Sequence, residues 1–125
     1  MSLFTLLGFA VLALGVFAAR FLERGFKDGR LGRVWLFAEA AVLVVGIFLG
    51  IEAVAHSRYP TPDTRLLGFP FLAAVFERSP TGGWADFVGL RTLPATIGNF
   101  VVGLFLPHLL IATAAWLSTR RHNAA

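Results

Sequence analysis

The chain has 125 residues, 57% of them hydrophobic and only 14% charged, with a mean hydropathy of +0.75. A soluble domain carries about 45–50% apolar and about 25% charged residues, and so small a fold could not keep this much apolar surface from water. That excludes an ordinary soluble enzyme domain, a disordered tail and a disulfide-stapled secreted module, and leaves an integral membrane protein. The formal charge of +4 would suggest nucleic acid in a soluble chain, but the arginines cluster beside apolar segments, which points to topology signals and anionic lipid, with no nucleic-acid partner. With no cysteine, thiolate metal sites, disulfides and cysteine nucleophiles are ruled out.

The expected fold class is an all-α integral membrane protein with three transmembrane helices, forming one membrane domain over residues 1–125. The first apolar run, residues 3–19, stops at Arg20. Only Met1 and Ser2 precede it, so the charge pattern is that of a retained anchor with its N-terminus outside, not of a cleaved signal. The connection 20–33 holds Arg20, Arg24, Lys27, Arg30 and Arg33 against Glu23 and Asp28. By the positive-inside rule this loop and the tail 118–125 are cytoplasmic, while the N-terminus and the long loop 57–93 are extracytoplasmic. The second span covers 34–56, interrupted by Glu39 and Glu52, and the third covers 94–117. All are expected as helices, because backbone in lipid must satisfy its own hydrogen bonds. The expected location is the cell membrane, multi-pass.

The long loop is too long for a featureless connection. Tyr59-Pro60-Thr61-Pro62-Asp63 reads as an extended, proline-stiffened exit from the membrane. Residues 65–78 are strongly apolar, residues 79–83 form a dense turn signal, and Trp84 opens a second aromatic and β-branched run. The pattern predicts a β-hairpin over about 65–91; a short interfacial helix over 71–78 is the competing reading. Apolar side chains fall on both faces of the hairpin, so Phe69, Phe71, Phe76, Trp84 and Phe87 are expected to form an outer interaction surface.

Ionisable groups inside spans are rare and expensive, and each is a candidate functional site. Glu39 lies six residues past Arg33, about 9 Å deep. It shares a helical stripe with Gly46 and Gly50, a GxxxG pair that permits close helix approach, with Gly103 as a further packing glycine. Glu39 is therefore expected in a packed seam, as an interhelical contact or a proton relay. Glu52 and His56 sit one turn apart near the outer edge, as a solvent-touched helix end or a weak metal pair. In the third span Asn99 and His108 lie about 180° apart, and Pro107 should kink the helix.

Depth pairs Glu39 with His108 and Glu52 with Asn99. In straight helices one pair facing inward turns the other away, which points to a partner outside this chain. His56 and His108 differ in depth by about 15 Å, so an intrachain bis-histidine haem does not fit. There is no HExxH, GxSxG or P-loop, and no cofactor, metal or catalytic residue is expected. The expected function is a non-enzymatic accessory, scaffold or assembly subunit of a larger membrane complex, packing through its GxxxG face as a homo-oligomer or with other subunits. The alternative is an oligomeric channel or transporter with Glu39 and His108 in an ion or proton pathway.

Overall fold

The computed structural model describes residues 2–87 and 92–124. It is mostly helical, with three helices long and apolar enough to cross a membrane and a small antiparallel sheet. Helix α1 spans Leu3–Lys27, α2 Arg33–Ala55 and α3 Thr92–Ala124, while strands β1 Ser57–Thr61, β2 Thr64–Leu67, β3 Ala74–Arg78 and β4 Trp84–Phe87 lie between α2 and α3.

Helices α1 and α3 overrun the apolar runs that announce them, whereas α2 matches its run to within one residue. Ser2 caps α1 by accepting from the Thr5 amide at 3.2 Å, and the helix then continues through Arg20 and Arg24 to Lys27. Most of the basic connection is thus helical, because Arg, Glu and Lys are good helix formers, and the helix ends only at Lys27, just before Gly29 takes a positive φ of 70°. Lys27 Nζ donates to Glu23 Oε1 at 2.6 Å, one turn back on the exposed face. Likewise α3 runs past Thr119 into the charged tail.

Helix α3 is the centre of the bundle: it packs along α2 and also along α1, whereas α1 and α2 barely meet. At the end bearing the basic connection, Ala18, Leu22, Leu31, Ala112 and Ala115 form the core, with Phe21, Phe26, Trp35, Leu109 and Ile111 against it. Small residues at 18, 112 and 115 let α1 and α3 approach, and the aromatics fill the flanks. Most remaining large apolar side chains of the helices face outward, which fits helices long and apolar enough to cross a membrane.

The other end carries the sheet, a meander in the order β1-β2-β3-β4. The β3–β4 hairpin turns through residues 79–83, where Ser79 N–H donates to Gly83 O at 2.7 Å. Two further strands precede it, against the expectation of a single hairpin. The proline-rich exit forms β1, with Pro60 on an edge strand where an unmade ladder bond costs little, and Pro62-Asp63 form the turn into β2. The apolar stretch read as one long strand is split, since residues 68–73 leave the sheet and enter the bundle. The competing helix over 71–78 is not what forms: Ala74–Arg78 pair with both neighbours as a central strand. Residues 88–91, at the far end of the expected hairpin, lie outside the described residues.

Candidate functional site

The α2–α3 crossing sets the site. A Cβ on Gly46 would lie 2.7 Å from Leu104 O, one on Gly50 2.8 Å from Phe100 O, and one on Gly103 2.5 Å from Gly50 N and Leu49 O. No side chain fits there, so the two backbones touch directly. The GxxxG glycines are therefore occupied by this chain's own third helix, which corrects the expectation that their face packs against a partner.

Glu39 stands on the same stripe as Gly46 and Gly50, since seven and eleven residues bring the helix back within about 20° of the same direction. The facing row on α3 is Phe100, Leu104 and His108, spaced by four. That row slants by about 40° per step, so α2 crosses α3 obliquely and meets His108 at its far end. There His108 Nε2 lies 2.6 Å from Glu39 Oε1. His108 Nδ1 lies 2.7 Å from Leu104 O, the carbonyl one turn back. A carbonyl can only accept, so Nδ1 carries a hydrogen, and a single further proton is shared between Nε2 and Oε1. The contact is either an imidazolium–carboxylate pair or a carboxylic acid donating to a neutral ring; both are neutral overall, as an apolar helix surface requires. Phe105 walls the ring edge-on at 6.5 Å. The His108 side chain is 10% exposed and that of Glu39 24%. Glu39 Oε2 is buried with no hydrogen-bond partner among the described residues.

Asn99 has a different task. It is fully buried, and its amide brackets one residue of the inserted loop: Oδ1 accepts from Phe71 N–H at 2.7 Å and Nδ2 donates to Phe71 O at 2.7 Å. The loop enters the bundle at Gly68, whose φ of +95° is open to glycine and whose Cβ would meet Asn99 Nδ2 at 2.5 Å. Gly68 N–H donates to His56 O and Phe69 N–H to Ala53 O, at 2.8 and 2.9 Å, which ties the loop to the last turn of α2. Phe69 packs against Phe4 at 5.3 Å and Phe71 against Phe9 at 5.1 Å, with tilted rings. Both rings had been expected on an outer surface. They turn toward the helices because the segment 68–73 leaves the sheet: Phe69 lies between Phe4 of α1 and His56 at the end of α2, and Phe71 between α1 and α3 at Gly8 and Gly98.

The remaining sheet aromatics are partly roofed by arginines. The Arg65 guanidinium lies 5.6 Å over Phe76 and that of Arg78 lies 5.4 Å over Trp84. Trp84 stays 38% exposed and sits 6.3 Å from Tyr59. Since β1 and β4 are opposite edges of the sheet, that distance requires the meander to curl. The side chain of Phe87 lies outside the described residues.

Glu52 and His56 are both exposed. They share the wall of a cavity of about 230 Å³ with Leu49, Phe69, Pro70, Val102 and Leu106, and His56 meets the Phe69 ring at 5.8 Å. The depth match between Glu52 and Asn99 does not become a contact. Asn99 takes its partner from the loop, so no outside group is needed to satisfy it. Only one of the two depth-matched pairs forms, Glu39 with His108, while Glu52 stays exposed; the step from there to a partner outside the chain fails for Asn99, because the loop satisfies it. Sequence reasoning did not identify Gly68 or the Phe71 backbone as the partner of Asn99, although an asparagine in an apolar span and an extended Gly-Phe-Pro segment each lack a partner of their own. The chain matches no protein-family model, no curated protein and no solved structure.

Proposed function

We propose that the chain is a non-enzymatic accessory or scaffold subunit of a membrane complex, a three-span anchor that carries a rigid β-platform on its extracytoplasmic side. The observation that carries this reading is the Asn99 clamp. A buried amide on α3 holds the loop between β2 and β3 by both backbone groups of Phe71, so the sheet is tied to the helices as one body. Ionisable and amide groups in the spans commonly serve transport or catalysis. Here Asn99 and His108 both bond to backbone of this same fold, which supports a structural use. The proposed orientation, with the platform outside and the C-terminus in the cytoplasm, is supported by the basic residues of 20–33 and the tail.

The test is native purification in mild detergent. On this reading the wild-type chain migrates well above monomer size with homotypic or heterotypic subunits. Tyr59→Ala with Trp84→Ala on the platform then releases it while the helices stay folded. A monodisperse monomer extracted from its native membrane overturns the proposal. Because the chain has no cysteine, Thr81→Cys and His122→Cys give clean labelling reporters: only the first should react with an impermeant maleimide in intact cells.

One observation favours a second reading, an oligomeric proton channel or transporter. Glu39 and His108 share one proton and Glu39 Oε2 has no partner among the described residues, so a further donor could be accepted there. In proteoliposomes that reading requires a proton flux that Glu39→Gln abolishes without altering assembly.

A further inference from the structure

Where α1 leaves its apolar stretch, a cavity of about 290 Å³ is lined by Phe17, Arg20, Phe21, Arg24 and Arg30. The spacing explains the convergence. Phe17, Phe21 and Arg24 follow one face at intervals of three and four residues, Arg20 borders it, and the turn after Lys27 brings Arg30 back over the helix end. The cations differ in how far they are neutralised. Arg30 donates to Asp28 at 2.9 Å, and the nearby Lys27 is bound to Glu23. Among the described residues no carboxylate lies within ion-pair distance of Arg20 or Arg24. Phe17 is 73% exposed directly beside them.

We propose that this cleft binds the headgroup phosphate of an anionic phospholipid, with Arg20 and Arg24 on its oxygens, Arg30 at the rim, and an acyl chain along Phe17 and Phe21. The ligand must offer a phosphate and an apolar chain at the same level, at the boundary between the apolar run of α1 and its first arginine. A phospholipid of the adjoining leaflet does both, and guanidinium forks match phosphate oxygens in pairs. A soluble anion would leave Phe17 without a partner. The inference rests on α1 lying in a bilayer and is independent of the accessory-subunit reading.

Native mass spectrometry of the full chain in neutral detergent, with equimolar phosphatidylglycerol and phosphatidylcholine, tests it. Wild type should retain phosphatidylglycerol in preference by about tenfold. Arg20→Gln with Arg24→Gln should bring the two lipids to near parity, and Arg20→Lys with Arg24→Lys should restore much of the preference. Arg120→Gln with Arg121→Gln removes the same charge at the same end and should leave the preference intact. Equal retention of both lipids by wild type overturns the site, as does an equal loss in both Gln pairs, which would reflect net charge alone. Displacement of phosphatidylglycerol by millimolar inorganic phosphate overturns the lipid assignment in favour of a free anion. Circular dichroism of each variant confirms that helix content is retained.

Discussion

Replacing Asn99 by leucine removes the clamp at nearly constant volume. Two hydrogen bonds of 2.7 Å disappear, and the Phe71 N–H and C=O are left facing an apolar side chain with no water to replace it. A buried group left unpaired costs about 1–3 kcal/mol. Phe71 is only partly buried, so a cost near the low end, about 1–1.5 kcal/mol, applies to each group, and the loop should lose about 2–3 kcal/mol of closure free energy. At 25 °C that is roughly 30- to 150-fold. Amide hydrogen exchange reads it directly: residues 69–73 should exchange faster by that factor in Asn99→Leu. The middle of α2 should change far less, because the Gly46 and Gly50 contacts do not involve the clamp. Asn99→Asp keeps the acceptor for Phe71 N–H but sets a carboxylate oxygen against Phe71 O and buries a charge, and should loosen the loop at least as much. Unchanged protection over 69–73 in Asn99→Leu would refute the reasoning, since the loop would then be held by Phe69 and Phe71 packing alone.

Three more outcomes follow from the same geometry. Gly50→Leu drives a Cβ onto Phe100 O, a backbone atom that cannot rotate away, and should destabilise the bundle by about 3 kcal/mol or more, measured by thermal melting in detergent. Glu39→Gln can still donate to the His108 ring and should shift melting by less than about 1 kcal/mol, whereas His108→Leu strands a buried carboxyl and should cost about 3 kcal/mol; the reverse order would mean that the pair is not shared as described. Gly68→Ala meets both an unfavourable positive φ and the Asn99 amide; a loss of about 2 kcal/mol should appear as faster exchange in the same 69–73 amides.

The helices were legible because their signal is local: three apolar runs of sufficient length, each edged by arginine or proline. The β3–β4 turn was legible for the same reason, with Ser79-Pro80-Thr81-Gly82-Gly83 leaving the chain few other conformations. Depth alone brought Glu39 and His108 to the same level. The partner of Asn99 was not legible, since it depends on how obliquely α2 crosses α3 and on where the segment 68–73 leaves the sheet. Nothing in the one-dimensional pattern states a crossing angle. Strand β1 reads only as an extended exit because prolines at 60 and 62 weaken the strand signal, although an edge strand tolerates the first and a turn uses the second, and β2 reads as the start of one long strand because its break at Gly68 depends on the bundle. Phe69 and Phe71 read as surface for a related reason: alternation assigns a residue to a face of a strand, and these residues are in no strand.

The location of the glycines changes how any association experiment must be interpreted. A GxxxG pair in a span invites substitution by leucine to disperse an oligomer, and here that substitution would succeed for the wrong reason. Gly46 and Gly50 meet Leu104 and Phe100 of their own chain, so a bulky side chain parts α2 from α3 and separates Glu39 from His108. A complex lost in Gly46→Leu therefore reports a damaged subunit, not a broken interface. Discriminating substitutions must leave the crossing intact. Tyr59 and Trp84 meet that condition, being exposed by 58% and 38% on the sheet and remote from the α2–α3 seam. If their removal leaves assembly unchanged while Gly46→Leu abolishes it, the platform is not the docking element, and the exposed apolar flanks of α1 and α2 become the surfaces to test.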